Sequence, residues 1–494
     1  MKVPLAGTHQ EIFSKEQVKQ EPLSGSSGET APAPVLPKGE IVPPPPSFDF
    51  ESPSLISRIF PFLLGLIALV VLIIVATQIV PRFLAGGGGP VSLTYWGLWE
   101  DENIMKVVIA DFERENPNIK INYQKQDIKQ YRETLTNRLS QKEGPASPQG
   151  GPDIFRFHNT WVPMLKTYLL SIPANIYTNG DFEKTFYPVA QKDLKMGNNY
   201  IGIPLEIDTL ALFINDDDFK AAGLSPPATW DELRTAARQL TVRDSSGRIV
   251  KSGVALGTFD NIDASSDILA LMMIQNGVDF RKVDKSISRD GRNLGEDTLA
   301  YYVSFAQGEN RIWDDTLDVS TPAFAKEKLS MYFGYSWRVF EIQALNPNLR
   351  FSIHPAPQLS GESKTFASYW VEGVSKNSSH PKEAFLFLKF LSKPETLQKL
   401  FSEGSKLRLF GEPYSRLDLA DNLKSNQYAA PFLAKAKDAA SWYLASNTYD
   451  NGLNDQMRKY FQDAVNGVLR GISPGTALET AAKGIEVVAT QYGL

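Results

Sequence analysis

The residues from Phe62 to Val80, FLLGLIALVVLIIVATQIV, constrain this chain more than any other stretch. These nineteen residues carry no charge, and only Gly65, Thr77 and Gln78 fall short of strong apolarity. At ~1.5 Å per residue a helix of that length is roughly 28 Å long, close to the ~30 Å hydrocarbon core of a bilayer. A helix satisfies its own backbone hydrogen bonds, so it can cross lipid alone. Pro61 and Pro81 bracket the run, and Arg58 and Arg82 lie just beyond it, suited to the headgroups. A single transmembrane anchor over residues 58–82 is therefore expected, rather than a buried core helix. A cleaved leader fits poorly, because the apolar run begins only at residue 62, far past a short basic n-region. Leu84-Ala85-Gly86-Gly87 has the outline of a bacterial lipid-attachment box, but its last position holds glycine where cysteine is needed.

Residues 1–57 hold ten prolines, Pro43 to Pro46 among them, with frequent Gly, Ser and Glu. Such a segment cannot bury enough apolar surface to offset chain entropy, so a disordered tail is expected. Its prolines favour extended polyproline II, and a spacer is expected ahead of a PxxP-type ligand. Residues 83–90 form a glycine-rich linker, flexible by composition. Its last six residues reach at most ~20 Å, which would hold the following body near the membrane. Arg58 and Arg82 balance, so flanking charge leaves the orientation open.

Residues 91–494 suffice for two or three domains with full cores. The net charge of −5 points to neither nucleic acid nor an anionic membrane surface. There is no cysteine, which excludes disulfides, thiolate catalysis and thiolate metal sites. The four histidines, His9, His158, His354 and His380, are scattered, so no multi-histidine metal site is expected, and neither is a cofactor.

The body opens with a strand-like run at 91–96. A helix follows over 101–115, with Ile104, Val107, Val108 and Phe112 on one face. Strand 119–124, helix 128–141 and strand 153–157 continue the alternation. Strands alternating with helices imply parallel pairing and an α/β architecture. Ligands in such sheets gather beyond the carboxyl ends of the strands. Here those ends carry Trp96, Trp99 and Glu100, then His158, Asn159 and Trp161. A helical stretch is expected near 181–195, then the β-rich run 200–215. Thr229 and Glu232 make a capping box. Helices fit 266–276 and 293–306, a strand fits 329–337, and two helices fit 380–401. Ser473-Pro474 starts the final helix. Asp216 to Asp218 resemble a metal run, but negative charge also suits a helix N-terminus, and the helix reading is preferred.

The order of these landmarks resembles the extracellular solute-binding proteins of ABC importers, in the group whose best-known members bind oligosaccharides. The likeness covers nearly all of 91–494. It rests on FERENPNIKIN (112–122), GPDI (151–154), YIGIP (200–204), AGLSPPATWDEL (222–233), FAKEKLSMYFGYSW (324–337), HPKEAFLFLKFL (380–391) and Gly471 to Leu478. Glu327 stands where the related pattern has glycine, and Ser330 where it has alanine. The resemblance implies a two-lobe fold of periplasmic-binding-protein type II, closing as a hinged clamp. Lobe 1 would be about 91–206 plus 350–402, and lobe 2 about 207–349 plus 403–494, with a hinge over Pro204 to Leu210. It also implies an external body, extracellular or periplasmic, and hence a cytoplasmic N-terminal tail.

Sugars present a polar rim and apolar C–H faces, so a binder needs aromatic platforms and fixed hydrogen-bond groups. By the resemblance, Trp337 is the leading platform, followed by Trp96 and Trp370. Trp99 and Trp442 also lie near strand ends or loops, whereas Trp230 in a helix's first turn reads as structural. His158 and Asn159 match the ligand-holding loop. Glu206 and Asp208 alternate on an extended segment, sharing a face roughly 7 Å apart. Glu100 and Arg338 complete the candidate set. The expected function is capture of a carbohydrate and its delivery to ABC permease subunits, by a monomer without catalysis. A glycan receptor feeding a sensor and a binder of a non-sugar solute are the alternatives. A glycosidase using Glu206 and Asp208 is the remote one, because carboxyls on one strand do not flank a bond.

Overall fold

The computed structural model describes residues 69–73, 90–141, 150–359, 361 and 363–494. The chain divides after Ala85 into two units. In the first, residues 69–73 are described, and they are helical and exposed. The remaining residues of the expected tail and anchor, and nearly all of the linker, lie outside the described residues. Among the described residues, no helix is long and apolar enough to cross a membrane.

The second unit, Gly86–Leu494, is built on two five-stranded sheets. The first runs Ile119–Lys125, Val91–Gly97, Ile154–His158, Trp370–Val374, Ile203–Pro204 in spatial order. Its first three strands are parallel. Parallel neighbours require crossovers, which the helices Glu102–Glu115 and Ile128–Ser140 supply. Asp101 and Asp127 cap them by accepting from the backbone N–H of Asn103 and Lys129, satisfying orphan donors of the first turn. Gly97 ends the first strand where a Cβ would come within 2.4 Å of the Tyr123 ring. The Glu102–Glu115 helix buries Ile104, Met105, Val108, Ile109 and Phe112. Its apolar face is centred on Val108 and Phe112, which packs edge-on against Phe387 at 4.9 Å. Val107, expected inward, lies on the flank turned away from that centre and is 39% exposed.

The second sheet runs Phe351–Pro355, Ala211–Asn215, Leu329–Gly334, Ile249–Val254, Val242–Arg243. Ala211–Asn215 is antiparallel to both neighbours, whereas Leu329–Gly334 is parallel to Ile249–Val254. Both halves of the Thr229–Glu232 capping box are present. Trp230 is buried, stacks on Phe333, and donates to Gln275 at 2.6 Å, so it is structural. Asp216, Asp217 and Asp218 open the Asp216–Ala222 helix behind the Asn215 cap. They turn to three different partners, Ser352, Arg350 and Lys251.

Three expectations shift. The boundary at 350 falls short, because Phe351 pairs with Asn215 and Pro355 with Ala211 in the second sheet. The chain therefore returns to the first sheet between Pro355 and Trp370. The strand expected to reach Trp337 ends at Gly334, and the helix Arg338–Leu345 starts directly after Trp337. The stretch 181–195 holds two short helices, Asn179–Thr185 and Pro188–Asp193, with proline opening the second. The crossing at 205–210 is held from both sides. Ile207 N–H donates to Pro413 O at 3.1 Å and Leu210 N–H to Phe366 O at 2.9 Å.

Candidate ligand-binding site

A cavity of about 420 Å³ opens where the ends of both sheets meet the 205–210 crossing. Seven expected residues line it: Trp99, His158, Glu206, Asp208, Trp337, Arg338 and Trp370. They come from the carboxyl end of the Ile154–His158 strand, the loop after Val91–Gly97, the crossing, the turn after Leu329–Gly334 with the helix start that follows it, and the first residue of the Trp370–Val374 strand.

Indoles face the cavity from both sides. On the first-sheet side Trp370 is buried, with Trp99 edge-on at 5.5 Å, Trp161 at 5.3 Å and the His158 ring at 5.1 Å. Trp99 is 40% exposed, so its surface is open to a ligand. On the second-sheet side Trp337 stacks on Tyr335 at 4.6 Å and 13°. One indole face is thereby occupied and the other borders the cavity.

The polar floor is pre-set. Asn454 Nδ2 donates to Thr160 Oγ1 at 2.7 Å, and Thr160 Oγ1 lies 2.7 Å from His158 Nδ1. The Thr160 backbone N–H also points at Nδ1, at 3.4 Å. With Nδ1 accepting, the proton sits on Nε2, which donates to Ser368 Oγ at 2.9 Å. This tautomer follows from the donors around the ring. Burial lowers the His158 pKa to about 3, so the ring is neutral. Asp208 accepts from the backbone N–H of Ser336 at 2.9 Å and of Thr209 at 2.8 Å. Burial nevertheless pushes its pKa well above the ordinary carboxyl value. Glu206 is 7% exposed, and among the described residues no donor reaches its carboxylate. Burial, then the Glu412 charge, raises its pKa, while Arg156 and Arg408 pull the other way. Arg338 is paired with Glu341 and Asp263, and Arg408 with Glu412.

Four expected residues sit elsewhere. Trp96 is buried on the pleat facing Tyr131 and donates to Gln124 at 2.9 Å. Glu100 holds Arg156 Nη1 at 2.6 Å, while Arg156 Nε donates to Glu372 at 2.6 Å. Asn159 turns inward, donating to Asp193 and accepting from Tyr369 N–H. Trp442 stacks on Phe280 at 4.0 Å. In their place the structure brings Ser368, Arg408, Glu412, Pro413, Ser446, Asn447 and Tyr449 to the cavity. Asn447, Tyr449 and Asn451 all take positive φ, of 58°, 50° and 43°, which is strained for a side-chain-bearing residue. Asp450 pins this loop by accepting from Gly452 N–H, Asp455 N–H and Asn454. The NTYDNG run was a usable signal, since Asn and Asp tolerate the left-handed region.

A neutral imidazole, buried carboxyls and facing indoles suit a neutral polyhydroxylated ring. Glu206 and Asp208 project from one segment, so they cannot flank a scissile bond. A family model described as bacterial extracellular solute-binding protein matches residues 98–398. A multiple sugar-binding protein of Streptococcus mutans is 23% identical over 319 residues, 63% of this chain and 73% of that protein. A cyclo/maltodextrin-binding protein solved with maltotetraose superposes with a TM-score of 0.64 at 20% identity, over 81% of this chain and 98% of its own. The cyclic α-maltosyl-1,6-maltose binding protein of Arthrobacter globiformis gives 0.63 at 20% identity, over 82% and 100%. At such identity the structural likeness speaks to the two-lobe α/β fold.

Proposed function

The chain belongs to the bacterial extracellular solute-binding proteins, a family that binds rather than transforms its solute, and from that premise we propose that it captures an oligosaccharide between its two lobes for an ABC permease. The observation that carries the reading is the pair of cavity-facing indoles, Trp99 and Trp337, set on opposite sides of a buried polar floor. The sugar-binding relatives support it. Ligand bridging both sides stabilises the closed form, and that form docks on the permease. Phe62 to Val80 anchors the protein in the cell membrane, with the tail cytoplasmic and the body outside. Tethering raises its effective concentration at the permease.

Calorimetry of the full-length chain in nanodiscs against an oligosaccharide panel tests the capture. Binding without product formation is expected; turnover, or silence across the panel, overturns it. Alkali-washed membranes test the anchor, since deletion of 62–80 is expected to release the body.

A further inference from the structure

Beside the cleft lies a second cavity, of about 220 Å³. It shares Trp99, Glu206, Arg408 and Glu412 with the cleft. Its remaining wall is mostly apolar, with Leu397, Leu400, Phe401 and Leu407 of the Pro394–Leu407 helix, and Glu100, Asp101 and Tyr414 at its edge. Leu407 is 63% exposed. Apolar side chains around a hollow gain free energy from apolar contents.

Two observations tie this chamber to the ligand. Glu206, common to both cavities, is more than nine-tenths buried, and no donor among the described residues reaches it. A carboxyl so largely desolvated gains from a hydrogen bond, which a ligand hydroxyl at the junction would supply. The rest of the shared wall is Trp99 and the Arg408–Glu412 pair, whose side chains are 31% and 26% exposed. The pair is partly exposed, so the junction between the two cavities is bounded by side chains rather than by backbone.

We infer that the side chamber receives an apolar substituent, about the size of a phenyl ring, on the saccharide unit that hydrogen-bonds Glu206. The ligand class is then a glycoside with an aryl or comparably bulky apolar group, and this rests on the carbohydrate reading above. The full-length chain in nanodiscs is titrated calorimetrically with matched methyl and phenyl glycosides of glucose, mannose, galactose and maltotetraose. In whichever pair binds, the phenyl member binds at least ~10-fold tighter, as burial of a ring predicts. Leu407→Trp, filling the chamber mouth at an exposed position, abolishes that gain and leaves the methyl glycoside's affinity unchanged. Leu400→Trp, about two turns earlier in the same helix, does the same, and circular-dichroism melting identifies which variants are folded. Equal affinities within the binding pair overturn the chamber but leave sugar capture standing. A phenyl gain that survives in the folded variants also overturns it. Failure of every glycoside to bind overturns both readings.

Discussion

Trp337→Ala probes the cleft most directly. In the apo protein one face of the indole lies on Tyr335 at 4.6 Å and the other borders the cavity. A hexose laid on that free face covers roughly 70 Å² of apolar surface, worth about 1.8 kcal/mol at ~25 cal/mol/Å². At ~1.4 kcal/mol per decade this is a roughly 20-fold loss of affinity on truncation. The substitution also removes the Tyr335 stack, worth about 0.5–1.5 kcal/mol. In a chain of this size that loss moves Tm by about 1–3 °C. Calorimetry on the full-length protein and its variant, with the panel sugar that binds, measures the first quantity. A thermal melt without sugar measures the second. An affinity change below about threefold, with a Tm fall of more than about 5 °C, would show Trp337 to be a packing residue and refute the platform.

Arg156→Met strands Glu372 and Glu100 in the buried layer beneath the site. It is expected to destabilise by about 3–5 kcal/mol, read from denaturant unfolding. Glu327 has a φ of 59°, where the related pattern carries glycine. Glu327→Gly therefore raises stability by about 1 kcal/mol, because glycine alone accepts that region freely; a loss in chemical denaturation would contradict this. Burial raises the folded pKa values of Glu206 and Asp208. Between the unfolded and folded values the unfolded chain holds fewer protons, so their contribution to apo stability falls as pH rises above the ordinary carboxyl range. The Glu206→Gln/Asp208→Asn double variant flattens that decline in Tm measured from pH 4 to 8. An unchanged slope would place the titration elsewhere.

Local signals are legible where the physics is local. The alternation of strands and helices over 91–158 marked the parallel half of the first sheet, and T-x-x-E marked the capping box at Thr229. Non-local pairing was not legible: Phe351–Pro355 gives no sign in itself that its partner is Ala211–Asn215. The site divides in the same way. Trp99, His158 and Trp370 were accessible because they stand at strand ends, and Glu206 and Asp208 because they alternate on the crossing. Trp96 and Asn159 also stand at strand ends, but a one-residue change of pleat or rotamer sends each inward. Arg408 and Glu412 follow a helix end that reaches the cavity only through tertiary packing.

The charges around the cavity are unevenly matched, and this acts as a sieve. Arg338 is neutralised by Glu341 and Asp263, Arg408 by Glu412, and the deeper Arg156 by Glu372 and Glu100. The His158 ring is neutral, and burial favours the uncharged form of Glu206. An arriving phosphate or carboxylate would thus meet cations that are already engaged, and would lose its hydration without gaining a free partner among them. Under the proposed capture, a phosphorylated sugar would find no unengaged cation among these residues and is expected to bind more weakly than its neutral parent.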